Sequence, residues 1–152
     1  MNSIIIDTNI IVSLVRNEGF KQKFEERYFS KATDLYTSVV VQGELESLAM
    51  QWGWGTNRRY RMEETLSKIT ILPIKTRPIL TAYARIDAYS QGKLDGKPLP
   101  QGISARNMGK NDLWIAATAH AASATLVTTD NDFDHLRSSF IGVDWVDIKV
   151  YF

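Results

Sequence analysis

Short apolar runs alternate along this chain with longer segments whose apolar residues recur at helical spacing. The short runs predict strands at residues 3–6, 35–38, 70–74, 125–129 and 143–148. The longer segments predict helices at residues 8–17, 19–29, 39–51, 57–69, 78–91, 111–122 and 131–140. Strands that alternate with helices are typical of a largely parallel sheet covered on both faces. The pattern therefore predicts one α/β domain over residues 1–152, with about five strands.

Turn and cap residues agree with this division. Thr8 or Asn9 is able to cap the first helix, and Pro78 suits the first position of a later one. Residues 92–109 hold four glycines and two prolines. Such a composition is typical of a long loop.

Acidic residues follow two of the predicted strands. Asp7 comes directly after the first strand, and Asp130 follows the fourth. Ligands of parallel α/β sheets bind beyond the carboxyl ends of the strands, so both side chains are expected at one edge of the sheet. Glu44 shares the inward face of its helix with Val41 and Leu48, and Asp112 opens a helix beside a buried stripe. Four predicted elements thus deliver carboxylates that are able to converge.

Each of these acids also has an ordinary explanation. Asp7 and Asp112 suit helix N-termini, where the helix dipole favours a negative charge. Asp130 is able to cap the segment that follows it. Glu44 is harder to explain in this way, because an apolar helix face offers no general reason for a carboxylate. The four acids together are stronger evidence for a shared site than any one of them alone.

Electrostatics indicates what such a cluster would require. Two carboxylates about 4 Å apart repel by about 4 kcal/mol at an effective dielectric constant near 20. No lysine or arginine adjoins Asp7, Glu44 or Asp130, and Lys110 lies two residues from Asp112. Oxygen ligands suit Mg²⁺ or Mn²⁺. The chain has no cysteine and two histidines, which argues against zinc.

Composition limits the remaining classes of function. Hydrophobic residues make up 44% of the chain and charged residues 23%, as in an ordinary globular domain. The formal net charge of +1 argues against a strongly basic nucleic-acid-binding domain. There is no basic leader before the first apolar run and no run of about 20 apolar residues that would span a bilayer. We expect a cytoplasmic protein that does not bind membranes.

Four motifs carry a family resemblance. They are "IIIDTNIIVSLV", "VVVQGELESLA", "GKNDLWIAATAHA" and "TLVTTDNDFDHL". In this order, and over nearly the whole chain, they resemble the acidic motifs of PIN-domain ribonucleases, and in particular the VapC-like toxins of toxin–antitoxin pairs. The resemblance implies a PIN-like three-layer α/β/α fold. It also implies an endoribonuclease that uses Mg²⁺ or Mn²⁺ to activate water, a small antitoxin as partner, and a homodimer.

The same resemblance assigns roles to residues. Its catalytic and metal-binding acids correspond to Asp7, Glu44, Asp112 and Asp130. Its supporting polar residues, which hold the metal ligands by hydrogen bonds, correspond to Thr8, Asn9, Thr128 and Thr129. Two features depart from the family pattern. The loop at residues 92–109 is longer than usual, so the choice of RNA does not carry over, and Asp132 and Asp134 crowd the fourth acid. These two residues either assist a second metal or simply begin a surface helix.

The remaining features leave alternatives open. Residues 51–61 interleave Trp52, Trp54 and Tyr60 with arginines, which suits RNA stacking, an antitoxin groove, or a turn with buried tryptophans and a solvated helix face. His120 is expected to be half-buried and His135 to lie on the surface. The alternative to a nuclease is a non-catalytic PIN-like module for protein binding or signalling, which divalent-ion binding would distinguish.

Overall fold

The predicted strands form a single sheet in which every pair is parallel. The computed structural model describes residues 3–151. The strand order is β3-β2-β1-β4-β5. The strands are β1 (Ile4–Ile6), β2 (Leu35–Ser38), β3 (Thr70–Leu72), β4 (Thr125–Thr128) and β5 (Val143–Trp145). In the centre, Ile5 pairs with Tyr36 on one side and with Leu126 on the other.

Helices cover both faces of the sheet. They are α1 (Thr8–Arg16), α2 (Glu18–Phe24), α3 (Val39–Gln51), α4 (Thr56–Ser67), α5 (Arg77–Ser90) and α6 (Lys110–Ala121). Helix α1 packs against α2, α3 and α4, whereas α5 packs mainly along α6. Right-handed crossovers explain why the helices divide between the two faces. The chain moves outward from β1 to β3 with its helices on one face, and the helices that return it to β4 lie on the other face. The predicted α/β/α architecture is confirmed.

Large apolar side chains fill the space between the sheet and α1 to α4. Ile5 and Ile6 are fully buried in the central strand, as its unbroken apolar sequence predicts. Phe20, Phe24 and Tyr28 follow at helical spacing, and the rings of Phe24 and Tyr28 lie 4.5 Å apart between centroids. Burial of each such side chain contributes about 1.5–3 kcal/mol to stability. This packing holds the carboxyl end of β1 in a fixed place.

Several predicted elements end earlier than expected. The predicted helix at 131–140 is only a 3-10 helix, Asn131–Leu136, because Arg137 is extended and Ser138 adopts a left-handed backbone with φ of 67°. The third strand stops before Pro73, which has no N–H to donate to a sheet. The last strand stops at Trp145, and a 3-10 segment, Ile148–Tyr151, follows. Helix α2 continues as a π-helical segment, Glu25–Phe29, within the predicted helix at 19–29.

The loop at residues 92–109 contains turns but neither helix nor strand, as its composition predicts. Gly92 adopts a φ of +74°, a conformation that favours glycine, and so ends α5 sharply. The Lys97 ammonium donates a hydrogen bond to the Ser139 carbonyl at 3.0 Å. The loop is thus tied to the segment that follows β4. Within residues 3–151, none of the helices has the length and apolar character needed to cross a bilayer.

Candidate metal and active site

Asp7 ends β1 and begins α1. It is the N-cap of the helix, since its Oδ1 accepts a hydrogen bond from the Thr8 amide at 2.8 Å. The prediction that Thr8 or Asn9 caps this helix is therefore wrong. The Asp7 Oδ2 accepts a second bond, from the Thr128 hydroxyl at 2.6 Å. The residue is only 6% exposed, and burial raises its pKa despite these two hydrogen bonds, with a further rise from the nearby Asp130 charge.

Glu44 reaches the same place from α3. Its Oε1 accepts a hydrogen bond from the Thr8 hydroxyl at 3.1 Å. Thr8 therefore binds two acids, Asp7 through its amide and Glu44 through its hydroxyl. Burial raises the pKa of Glu44, and the charge of Asp7 raises it further. The sequence placed Glu44 on the inward helix face, and it is indeed half-buried there.

Asp112 is the acid whose pKa the greatest number of neighbouring acids raise. It lies half-buried in the first turn of α6. Burial, followed by the charges of the surrounding acids, raises its pKa from 3.8 to about 7. Those acids are Asp7, Asp130, Asp132 and Glu44. Hydrogen bonds through Thr8 and Thr128, and the 4.8 Å spacing of the Asp112 and Asp130 oxygens, bring the four predicted acids together at one edge of the sheet.

Asp130 and Asp132 lie beyond β4. The Asp130 Oδ1 accepts a hydrogen bond from the Asp132 amide at 2.9 Å, and the Asp130 amide donates one to the Thr128 hydroxyl at 3.0 Å. One carboxylate oxygen each from Asp112, Asp130 and Asp132 lies within 4.8 Å of the other two. Asp134, by contrast, is exposed and pairs with Arg137 at 3.5 Å. The structure thus brings Asp132 into the site and leaves Asp134 outside it.

We refer to Asp7, Glu44, Asp112, Asp130 and Asp132 as the acid cluster. Across residues 3–151, no lysine, arginine or histidine forms an ion pair with any of its members. An octahedral Mg²⁺ holds its ligand oxygens at about 2.1 Å, so these three oxygens, which lie within 4.8 Å of one another, would have to draw closer to bind one ion together. The donor atoms are all carboxylate oxygens, which hard divalent cations prefer. The residues present therefore fit a Mg²⁺ or Mn²⁺ ion.

Comparison with known proteins agrees with this arrangement. A sequence model of the PIN domain matches residues 4–138, which hold the whole acid cluster. The chain belongs to the PIN domain family. No curated protein sequence matches this PIN domain.

Solved structures resemble this PIN domain in fold. VapBC2 from Rickettsia felis, bound to a DNA fragment from their promoter, matches with a TM-score of 0.72 and 20% identity, over 97% of this chain and 100% of that chain. FitAcB from Neisseria gonorrhoeae matches with a TM-score of 0.66 and 23% identity, over 92% and 95%. VapBC-1 from nontypeable Haemophilus influenzae matches with a TM-score of 0.64 and 22% identity, over 95% and 98%. At sequence identities of 20–23%, these matches show a similarity of fold.

The four predicted supporting residues of the PIN domain differ in their contacts. Thr8 and Thr128 bind acids of the cluster through their hydroxyls. The Asn9 side chain is exposed, and among the described residues neither it nor the Thr129 side chain has a hydrogen bond to these acids. The Thr129 carbonyl instead accepts a bond from the Trp145 indole at 2.9 Å. Of the four predicted supporting residues, only the two threonines therefore contact the acids, and a side-chain hydrogen bond from Asn111 to Glu44, which the sequence did not suggest, adds to them.

Both histidines lie in other environments than the sequence suggests. His135 was expected on the surface, but it is 5% exposed, and its Nε2 lies 2.7 Å from the Ser90 hydroxyl. Burial and then the Arg106 charge lower the pKa of His135 to about 4, so it is neutral at pH 7. His120 was expected to be half-buried but is exposed, with its Nδ1 2.7 Å from the Phe140 carbonyl. Only pairing across elements, which a linear pattern does not reveal, explains the burial of His135.

The aromatic residues at 51–61 divide into buried and exposed members. Trp54 is buried, whereas Trp52 is 48% exposed and Tyr60 is 69% exposed. The Arg16 guanidinium lies over the Trp52 ring, 5.5 Å from its centroid. The expectation of a turn with buried tryptophans thus holds for Trp54 alone.

Proposed function

We propose that this PIN domain is a metal-dependent endoribonuclease in which Asp7, Glu44, Asp112 and Asp130 hold one or two Mg²⁺ or Mn²⁺ ions. One observation supports the proposal most. Five carboxylates from four elements converge at the carboxyl ends of β1 and β4 without an ion pair among the described residues. Such a concentration of negative charge is unfavourable without a cation. The family resemblance of the four motifs supports the nuclease activity.

The chain's own residues would keep the ligands in place. The Thr128 hydroxyl accepts from the Asp130 amide and donates to Asp7, so it couples the two strand ends. Thr8 similarly couples Asp7 to Glu44. When bound at these oxygens, a divalent cation supplies a water of lowered pKa and neutralises charge on the phosphate. Hydrolysis of the P–O3′ bond by a water would leave the phosphate on the 5′ oxygen and a 3′-hydroxyl, with the proton of the water passing to the leaving 3′ oxygen.

No histidine serves as general base in this proposal. His135 is buried against Ser90, and its Nε2 faces that hydroxyl rather than the acid cluster. His120 is directed to the Phe140 carbonyl. Acidic oxygens therefore supply all of the side-chain chemistry that we assign to the site.

The test is cleavage of single-stranded RNA by the purified protein. We expect cleavage with Mg²⁺ or Mn²⁺, none with EDTA, and products that carry a 5′-phosphate. Asp7→Asn should lower the rate by at least about a hundredfold, because even residues that only support metal ligands are worth 10–100-fold. A melting curve shows whether the variant is folded. Undiminished cleavage by a folded Asp7→Asn protein would remove the assigned role.

We also propose that the protein is the toxin of a toxin–antitoxin pair, acts in the cytoplasm as a homodimer, and is restrained by a small antitoxin. The fold likeness to VapBC and FitAcB structures supports this proposal. The exposed side chains of Met50, Trp52 and Tyr60 offer apolar area for such a partner.

The antitoxin proposal predicts that co-expression with the product of a small adjacent reading frame yields a complex that co-purifies and does not cleave RNA. The control is co-expression with an unrelated small protein. If no adjacent product binds or inhibits, the toxin–antitoxin assignment fails while the nuclease proposal stands.

A further inference from the structure

A second feature adjoins the acid cluster on the side of the long loop. A cavity of about 350 Å³ is lined by residues 104–109 and by Asp132. Asp132 is also a member of the acid cluster, so the cavity adjoins the candidate metal site through this residue. Within this lining, Arg106 carries the only positive side chain. The cavity can therefore hold the part of a ligand that extends beyond the acid cluster.

The backbone of Arg106 is held firmly. Its amide donates a hydrogen bond of 2.7 Å to the Ser90 carbonyl at the end of α5. The Ser90 hydroxyl, which is buried, lies 3.4 Å from the Met108 sulfur and 2.7 Å from the His135 Nε2. His135 follows Asp132 by three residues in the 3-10 segment, so the two share one side of it. This network joins the loop around Arg106 to the segment that carries Asp132.

The charge of Arg106 has no counterion among the described residues. Across the part of the chain that the structure describes, its guanidinium forms no ion pair with a carboxylate, although Asp132 lines the same cavity. The side chain is partly buried, so it has lost some of its hydration. A partly buried cation beside a site for phosphate chemistry favours an anionic ligand. The guanidinium offers a planar set of donors that fits phosphate oxygens in a bidentate manner.

We propose that Arg106 binds the phosphate group next to the scissile phosphate of a single-stranded RNA, and so positions the strand across the acid cluster. This inference rests on the proposed function and extends it to substrate binding. The bond from the Arg106 amide to the Ser90 carbonyl fixes the backbone that carries the guanidinium. The long loop at 92–109, which departs from the family pattern, thereby becomes one wall of the RNA path.

The first measurement is steady-state cleavage by Arg106→Gln. A contact to a neighbouring phosphate is equally strong in the ground state and the transition state, so KM should rise and kcat should change little. We expect KM to rise about tenfold, since a charge-assisted hydrogen bond is worth about 1.5 kcal/mol or more. Arg106→Lys, which keeps the charge without the planar set of donors, should recover part of this loss. The matched control is Arg85→Gln, an exposed arginine on α5 without an ion pair among the described residues.

The second measurement is RNA binding, followed by fluorescence anisotropy at several salt concentrations in an Asp112→Asn background. Loss of one phosphate contact should reduce the slope of log K against log salt by about 0.7 for a single strand. Arg106→Gln that binds with unchanged affinity and slope would overturn the inference. If wild-type protein binds RNA through Arg106 but does not cleave it, the nuclease proposal fails and Arg106 stands as a phosphate contact alone, without a scissile phosphate beside it. If wild-type protein neither binds nor cleaves RNA, both proposals fall.

Discussion

Asp112→Asn is expected to lower RNA cleavage by at least about a hundredfold and, at the same time, to stabilise the metal-free protein at pH 8. The first effect follows from loss of a proposed metal ligand. The second follows from electrostatics, because burial and four neighbouring acids raise the pKa of Asp112 to about 7. Substitution removes the repulsion that the ionised carboxylate feels. A purely structural carboxylate would behave in the opposite way and destabilise the protein when replaced.

The pH dependence of this effect has a definite sign. The pKa of Asp112 is raised above its unfolded value of 3.8, so its contribution to stability is present at low pH and is lost as pH rises through about 7. Metal-free wild type should therefore lose this contribution as pH rises from 3.8 to about 7, and Asp112→Asn should not. We expect a difference on the order of 1 kcal/mol at pH 8, or about 3 °C in Tm, since the carboxyl is only half-buried and solvent screens it.

Thermal melts in EDTA at several pH values measure this difference. The pKa of His135 is lowered to about 4, so its titration lowers stability as pH falls from 6.5 to about 4. This change is the same in both proteins, so the difference between wild type and Asp112→Asn isolates Asp112. The matched control is Asp134→Asn, an exposed neighbouring acid that pairs with Arg137. That variant should cleave RNA at nearly the wild-type rate. A metal-free Asp112→Asn protein less stable than wild type at pH 8 would contradict the repulsion on which the site assignment depends.

Thr128→Val is expected to be the most damaging change at a residue that the proposal does not place among the metal ligands. The side chain is fully buried, and its hydroxyl links the Asp7 carboxylate to the Asp130 amide. Valine has a similar shape but leaves both partners without this bond. We expect a loss of about 1–3 kcal/mol in unfolding free energy and a fall in cleavage of about 10–100-fold.

Thr118→Val supplies the control for this experiment. Thr118 is also fully buried, but its hydroxyl bonds to the Trp114 carbonyl within α6, away from the acids. Chemical denaturation gives the stability of each variant, and cleavage rates are compared at saturating Mg²⁺. Both variants are expected to lose stability, whereas only Thr128→Val should lose activity. Equal activities of the two folded variants would show that Thr128 does not position the acids.

Much of the fold was predictable because local patterns and tertiary packing agree. The helix at Val39–Gln51 begins and ends where the sequence predicts, despite its β-branched start, since Ser38 caps it and Gly53 follows with a φ of +62°. The segment after β4 was predicted less well. Its apolar residues Phe133 and Leu136 are three apart, a spacing that fits both an α-helix and the 3-10 helix that forms.

The candidate site was predictable in its outline only. The placement of Asp7 and Asp130 after apolar strands is enough to bring them to one edge of a parallel sheet. The distinction between Asp132 and Asp134 depends on the 3-10 geometry. Residues two positions apart in a 3-10 helix lie about 240° apart around the helix axis, so these two side chains point to different sides. Arg106 is one of several basic residues in the loop at 92–109, and only the cavity that it shares with Asp132 shows which of them lies beside the acids.

The sequence by itself determined the order of strands and helices, the parallel sheet and the four acids at its edge, because hydrophobic periodicity and chain direction are local properties. Only the tertiary structure decided that Asp132 joins them, that His135 is buried against Ser90, and that Arg106 forms no ion pair within residues 3–151. These features depend on contacts between residues far apart in the chain. Their energies come from burial and from charges that meet only after folding.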